Sequence, residues 1–149
     1  MCDKQKYGRV KSINTSKTKG VVKDSVREGI FRVNHGIEGD AHAGEWHRQV
    51  SLLADESAEK IRAKGLDINE GIFGENITTE GIELFTLPIG TKLKIGKTIQ
   101  EVTQIGKKCH HGCAIKQIVG DCVMPREGIF TKVIVGGIVK TGDTVEIID

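Results

Sequence analysis

The stretch Thr91-Lys-Leu-Lys-Ile-Gly-Lys-Thr-Ile-Gln-Glu-Val-Thr-Gln-Ile105 decides the predicted fold. Apolar and polar residues alternate with a period of two on both sides of Gly96-Lys97, which is the pattern of two strands joined by a tight turn. The same alternation recurs over residues 131–135 and 144–148, and Gly136-Gly137 predicts a hairpin turn into Ile138-Val139. The second half of the chain therefore predicts an antiparallel sheet.

The composition of the 149-residue chain extends this prediction to the whole molecule. It contains 19 Ile and 13 Val against 6 Leu and 6 Ala, together with 19 Gly. β-Branched residues favour strands, whereas helical bundles favour Ala and Leu. A sheet of many short antiparallel strands removes its exposed edges by closing into a barrel. The composition predicts a mainly β protein, a single domain over residues 1–149 that forms a β-barrel with one or two helices.

The first half of the chain contains weaker strand signals and the clearest helix. Strands are predicted over residues 7–13, 20–26 and 29–33, and glycine-rich loops over 36–44 and 71–80. Residues 50–53 lead into a helix over 55–64, with Asp55 as its N-cap and Gly65 at its C-terminal end. Acidic residues come early in this segment and basic residues late, as the helix dipole favours.

Charge and hydropathy exclude several classes of partner. The net charge is +2 and no basic run interleaves with aromatic residues, which argues against a nucleic-acid surface. No apolar run approaches the roughly 20 residues of a membrane span, so no membrane partner is expected. The polar start of the chain has no signal-peptide apolar region and predicts a cytoplasmic protein. In that compartment the 4 Cys are candidates for metal, sulfur or redox chemistry.

The cluster Lys107-Lys-Cys-His-His-Gly-Cys113 is the strongest candidate for chemistry. The thiolate is the reactive form of cysteine, and the neighbouring Lys and His residues, including His111, favour it at Cys109. If the segment is helical, Cys113 lies on the same face as Cys109. These residues predict a nucleophilic or metal-binding Cys109.

Two other interpretations of the cysteines remain open. Cysteine is often a small buried apolar residue, and Cys122 lies in an apolar stretch. Alternatively, Cys109, Cys113 and Cys122 bind Zn or an Fe–S cluster together with His110 or His111, although the spacing lacks the C-x2-C pair typical of zinc sites.

Two glycine-rich loops carry further polar candidates. The first is Gly39-Asp-Ala-His-Ala-Gly44 followed by Trp46-His-Arg48, in which Asp40 and His42 either bind a ligand or form a local turn. The second is Gly71-Ile-Phe-Gly-Glu-Asn-Ile-Thr-Thr79, in which Glu75 and Asn76 either face a pocket or bond their own backbone. No GxxxxGK[ST] or GxGxxG pattern indicates a nucleotide phosphate loop.

Taken together, four segments resemble the MOSC family, in particular small stand-alone bacterial members related to the C-terminal domain of molybdenum-cofactor sulfurase. The segments follow the family's order: Gly39-Asp-Ala-His42, Phe73-Gly-Glu-Asn-Ile-Thr-Thr-Glu-Gly81, Glu101-Val-Thr-Gln104 leading to Cys109, and Gly128-Ile-Phe-Thr-Lys-Val133 with its following glycines. The resemblance implies a distorted, mostly antiparallel β-barrel whose functional residue is Cys109.

The resemblance also implies the function classes to be weighed. The first is a sulfur carrier that holds a persulfide on Cys109, with Cys113 and His111 assisting. Its partners would be a cysteine desulfurase and a cofactor-synthesis or acceptor enzyme, so a sulfurtransferase-like activity is expected. The second is a module or oxidoreductase that binds the molybdenum cofactor (molybdopterin) and acts on N-oxygenated compounds. The cofactor-binding candidates are Asp40, His42, Arg48, Glu75, Asn76, Thr78 and Arg126. The third class, the structural Zn or Fe–S protein, does not come from the resemblance but rests on the cluster of Cys and His residues alone.

Overall fold

A computed structural model describes residues 7–18, 23–65, 75–106 and 127–148. The strands are β1 (Tyr7–Thr15), β2 (Asp24–Val26), β3 (Glu28–Arg32), β4 (Gly36–Ile37), β5 (Val50–Ala54), β6 (Ile77–Glu80), β7 (Lys92–Ile95), β8 (Thr98–Ile105), β9 (Ile129–Val135), β10 (Gly137–Lys140) and β11 (Thr144–Ile148). Seven strands of the larger sheet form a closed ring in the order β11-β7-β8-β9-β5-β6-β1, because β1 also pairs with β11, and β2 extends the sheet beside β1. The predicted mainly β barrel is therefore confirmed.

The barrel interior is filled by apolar side chains that come from each of its seven strands. Period-two alternation directs one face of each strand inward, which is why the β-branched residues dominate the core. Each buried aliphatic side chain contributes about 1.5–3 kcal/mol. The fully or almost fully buried members include Val10, Leu52, Ile77, Leu93, Val102, Ile129 and Val145.

The hairpin of β7 and β8 forms as the sequence predicts. Lys92 pairs with Glu101 and Ile95 with Thr98 across the turn. Gly96 adopts a φ of +56° in that turn, a conformation that glycine accepts without steric cost. Most other pairings of the ring are also antiparallel, but β5 and β6 pair in parallel.

The loop predicted over residues 71–80 is wrong for its last four residues. Ile77–Glu80 is the strand β6, which pairs with both β5 and β1. The three β-branched residues of this strand are buried between two neighbours, and that packing outweighs the glycine signal of the preceding segment.

The predicted hairpin around Gly136-Gly137 is also wrong. β9 pairs with β5 and β8 in the barrel, whereas β10 pairs with β3 in a separate three-stranded sheet, β10-β3-β4. A Cβ added at Gly136 would lie 2.7 Å from the carbonyl oxygen of Phe31. The glycine therefore lets the chain pass against β3 as it leaves the barrel.

The helix α1 (Asp55–Arg62) follows β5 directly, as predicted, but its N-cap is Ala54 and no side chain caps it. Asp55 instead accepts hydrogen bonds from Lys11 at 2.9 Å and Arg62 at 2.7 Å. Two cations compete successfully with the backbone for this carboxylate, so the expectation of an Asp55 cap is wrong. Gly65 follows the helix with a φ of +93°.

Within the described part of the chain, no helix has the length and apolar character needed to span a membrane.

Candidate functional site

A row of hydrogen-bonded residues on adjacent strands runs around the barrel wall. It brings the predicted motif segments side by side. Within it, Asn76 N donates to Ser51 O at 2.8 Å and Asn14 N donates to Asn76 O at 2.6 Å. Segments far apart in the sequence are therefore held side by side. In order across the wall, the row consists of Gln104, Phe130, Ser51, Asn76, Asn14 and Ser25.

Asn76 is the central link of this row, and its side chain is completely buried. Its Oδ1 accepts from Ser51 N at 2.9 Å and from Ser51 Oγ at 3.2 Å, while Nδ2 donates to Asn14 O at 3.1 Å. The side-chain amide carries an acceptor and a donor on the same carbon, so one residue can bond to both neighbouring strands. Asn76 thus joins the start of β6 to β5 and β1.

Glu75 and Thr78 are also buried and belong to the same polar network. Thr78 Oγ1 donates to Glu75 Oε2 at 2.8 Å and accepts from Asn14 Nδ2 at 3.2 Å. Asn14 Nδ2 also donates to Glu75 O at 3.1 Å. Buried polar groups are unfavourable unless they are hydrogen-bonded, and these hydrogen bonds hold the buried residues next to the site in place.

Asp40 forms a fully buried ion pair with Lys23, in which Nζ lies 2.8 Å from Oδ1. Ser16 N also donates to Oδ1 at 3.1 Å. Burial raises the pKa of Asp40, but hydrogen bonds from Lys23, Ser16 N and Asn76 and the charge of Lys23 outweigh it, so the pKa lies below its ordinary value. The carboxylate is therefore ionised and paired, and the bond with Asn76 connects the two motif loops.

His42 sits directly beside this ion pair, and its side chain is 31% exposed. Its Nδ1 lies 3.0 Å from Lys23 Nζ, and its backbone N–H donates to Asp40 Oδ2 at 3.1 Å. Trp46 Nε1 donates to His42 O at 2.8 Å. Asp40 thus forms both the local turn and the long-range ion pair, and the two orient the imidazole.

Arg48 presents a cation between two aromatic rings. Its Cζ lies 4.9 Å from the centroid of Trp46 and 5.6 Å from that of Phe130. Its Nε is buried and has no hydrogen-bond partner among the described residues. An unpaired buried donor is unfavourable, and an anionic ligand would satisfy it.

The end of β8 completes the site and leads into the segment of the cysteines. Gln104 Oε1 lies 2.9 Å from His47 Nε2, and Thr103 Oγ1 donates to His47 O. Gly106 N donates to Gly128 O at 2.6 Å. Gly106 and Gly128, which flank the segment of the cysteines in the sequence, therefore lie side by side.

The remaining predicted site residues lie outside the described residues: Cys109, His111, Cys113, Cys122 and Arg126. In the described ranges, no group of three or more His, Cys, Asp or Glu side chains forms a metal site. The structure brings together Asp40, His42, Asn76 and their neighbours, and Arg48 joins them through Trp46.

Sequence reasoning missed Lys23 and Asn14, which carry much of the network. Lys23 follows two valines and precedes an aspartate, a pattern that does not distinguish it from an exposed lysine. Asn14 lies one residue beyond the strand predicted over residues 7–13, and β1 (Tyr7–Thr15) includes it although asparagine is disfavoured in strands. Gln104 lies in the Glu-Val-Thr-Gln motif, but the sequence assigns it no role.

Comparisons with known proteins agree with this architecture. YuaD from Bacillus subtilis superposes with a TM-score of 0.80 at 20% identity, covering 95% of both chains. YiiM from Geobacillus stearothermophilus gives a TM-score of 0.73 at 20% identity over 95% of this chain and 75% of its own. YiiM from Escherichia coli gives 0.68 at 18% identity over 96% and 70%. At these identities the likeness shows the fold alone.

None of the curated proteins compared with the chain matches it. The family model described as the MOSC domain, in contrast, matches residues 39–146, which include the Asp40 loop, Asn76 and the strand that leads to Cys109. Since this match covers well over half of the chain, the protein belongs to the MOSC domain family.

Proposed function

We propose that the protein is a sulfur carrier of molybdenum-cofactor or tungsten-cofactor chemistry, with the sulfur held as a persulfide on Cys109. The observation that carries the proposal is the convergence of the Asp40 and Asn76 loops with the end of β8. Cys109 follows Gly106 by three residues, so the chain length alone keeps its Cα within about 11 Å of Gly106 Cα. This short separation in the sequence supports the assignment of Cys109 to the polar site.

The sulfur-transfer step needs only thiol chemistry. The Cys109 thiolate attacks the terminal sulfur of a donor persulfide, such as that of a cysteine desulfurase, and the donor thiolate leaves. Lys107, Lys108 and His111 favour the thiolate form of Cys109. Attack by Cys113 or Cys122 on the Cys109 sulfur would then release hydrosulfide and leave a disulfide for reduction by a second thiol.

The described residues also fit the anionic part of a molybdopterin cofactor. Arg48 offers its buried, unpartnered Nε and a guanidinium stacked on Trp46 and Phe130. The charge of Asp40 is already neutralised by Lys23 and does not oppose an anion. When bound, the cofactor would supply a metal centre that accepts sulfur, and His42 and Arg48 would contact its anionic groups.

The other cofactor candidates have supporting roles. Glu75, Asn76 and Thr78 are buried next to the site, and their hydrogen bonds fix the positions of the neighbouring segments. Arg126 immediately precedes Glu127, whose carboxylate accepts from Ser57 at 2.6 Å and binds Lys60. We propose Arg126 as a second anion-binding side chain.

The test is intact-mass analysis after incubation with a cysteine desulfurase and cysteine. The wild-type protein should gain about 32 Da, the mass of one persulfide sulfur, and peptide mapping should locate it on Cys109. The variant Cys109→Ser should lose the adduct, whereas the matched control Cys2→Ser should keep it. The absence of the adduct, or its location on Cys2, contradicts the carrier function.

Metal analysis of the same preparation tests the second candidate, the structural metal site. A stoichiometric Zn or Fe that is lost in Cys109→Ser, together with a Cys109 that does not react with persulfide, would favour that candidate over sulfur transfer.

A further inference from the structure

Lys23 Nζ is surrounded by three acceptors in a fully buried position. It lies 2.8 Å from Asp40 Oδ1, 3.0 Å from His42 Nδ1 and 3.2 Å from Ser16 Oγ. Ser16 Oγ uses its own proton to donate to Thr18 O at 2.9 Å, so it can only accept from the lysine. An ammonium group has three protons and no lone pair, and it therefore donates to all three neighbours.

The hydrogen bond from Lys23 Nζ to His42 Nδ1 determines which tautomer His42 adopts. A ring nitrogen that accepts a hydrogen bond carries no proton, so the single proton of the neutral imidazole must lie on Nε2. Among the described residues, Lys23 and, at 3.9 Å from Nδ1, Asp40 Oδ2 are charged groups that face the ring. The backbone bonds of His42 to Asp40 and Trp46 hold the ring in this position.

We infer that Lys23 is a positioning residue that fixes His42 as the Nε2–H tautomer, so that Nε2 acts only as a hydrogen-bond donor and does not bind a metal. A metal ligand needs a lone pair at the coordinating nitrogen, and this tautomer has none there. Acceptors of the matching class are phosphate oxygens, carbonyl oxygens and thiolate sulfur. The choice among these ligands rests on the proposed function, whereas the tautomer does not.

The tautomer is measured by long-range 1H–15N NMR of the wild-type protein, with the His42 signals assigned by comparison with His42→Gln. The expected spectrum shows Nδ1 without a proton and Nε2 with one. A proton on Nδ1, or the exchanging mixture of a free imidazole, would overturn the inference. This measurement requires no variant of Lys23.

Two variants then test whether Lys23 is the cause. In Asp40→Asn the lysine still donates to His42 Nδ1, so the Nε2–H signal should persist. In the double variant Lys23→Met with Asp40→Asn, no buried charge is left unpaired, and His42 should change to an exchanging mixture. If the double variant keeps the pure Nε2–H tautomer, another group sets it and the assignment of Lys23 is wrong.

A titration with inorganic phosphate separates this inference from the proposed function. Phosphate should shift the Nε2 and Nε2–H signals of His42 in the wild-type protein. If the tautomer is as expected and phosphate leaves these signals unmoved, the anionic ligand of the proposed function is contradicted while the role of Lys23 stands.

Discussion

At the scale of single residues, Asp40 is the most consequential polar group described. It neutralises a buried lysine, accepts from two backbone N–H groups and bonds Asn76 in the second motif loop. The sequence predicts a functional Asp40 from its glycine-rich surroundings. It does not predict the partner, because Lys23 lies 17 residues away, directly before β2.

Asp40→Asn should destabilise the protein by about 3–5 kcal/mol at pH 7, because it leaves the Lys23 ammonium buried without a counter-charge. Urea denaturation followed by circular dichroism measures this loss. Asp24→Asn, an exposed change on β2, is the matched control and should stay within about 0.5 kcal/mol of the wild type. Equal stability of the two variants would mean that the Lys23 ion pair contributes nothing.

Arg48→Met should weaken phosphate binding about tenfold or more, since a hydrogen bond to a charged group is worth about 1.5–3 kcal/mol. Arg48→Lys should retain part of the affinity because it keeps the charge but loses the planar donors. Isothermal titration calorimetry measures both. The control is Arg9→Met, which removes an exposed arginine paired with Glu80 and should bind like the wild type. Unchanged binding in Arg48→Met would exclude this residue from the anion site.

At the scale of elements, the site depends on strands that belong to different parts of the sequence. Alternation predicts β7, β8 and β11 well, because one face of each strand packs in the core and the other meets solvent. It fails for β6, which is buried on both faces between β5 and β1, and for the partner of β10. Pairing partners depend on contacts that no local pattern contains.

Gly136→Ala should destabilise the protein by about 1–3 kcal/mol, because its Cβ meets the backbone oxygen of Phe31 and cannot be accommodated by a side-chain movement. Gly29→Ala is the matched comparison, since its nearest atom is the side-chain Cγ2 of Ile37 at 3.3 Å. Thermal unfolding of both variants should therefore show the larger decrease in melting temperature for Gly136→Ala. The reverse order would contradict the close approach of the connection between β9 and β10 to the backbone of β3.

At the scale of the whole molecule, closure of the ring turns a curved sheet into a scaffold that holds the site. The contact of β1 with β11 is reinforced where Gly142 N donates to Val10 O and Val10 N donates to Asp143 O, both at 2.8 Å. Because β1 also carries Asn14 towards its other end, the closing strand and the polar network share one element. We therefore expect the site to be lost together with the barrel as one cooperative unit.

The stability of the molecule should fall in acid because two of its carboxylates have a lowered pKa. For Asp55, burial raises the pKa, but the hydrogen bonds and charges of Arg62 and Lys11 outweigh it, as Lys23 does for Asp40. Above the ordinary value of 3.8 both groups are ionised in the folded and unfolded chains, and their stabilisation is complete. Below it the unfolded chain binds protons first, so the stabilisation declines.

Urea denaturation at a series of pH values tests this. The difference in free energy of unfolding between the wild type and Asp40→Asn should be constant from pH 7 to about pH 5 and shrink below about pH 4. Asp55→Asn should show the same trend with a smaller amplitude, because its ion pairs are partly exposed to solvent. A difference that stays constant to pH 2 would contradict the lowered pKa of Asp40.

The sequence by itself determined the mainly β class, the hairpin of β7 and β8, the helix after β5 and the family, because these depend on local periodicity and on motifs that stay contiguous in the chain. Only the tertiary structure decided the ring order, the parallel pair β5–β6 and the burial of Lys23 beside Asp40 and His42. The physical reason is that a buried charge or a strand pair is stabilised by partners distant in the sequence, and these meet only when the barrel closes.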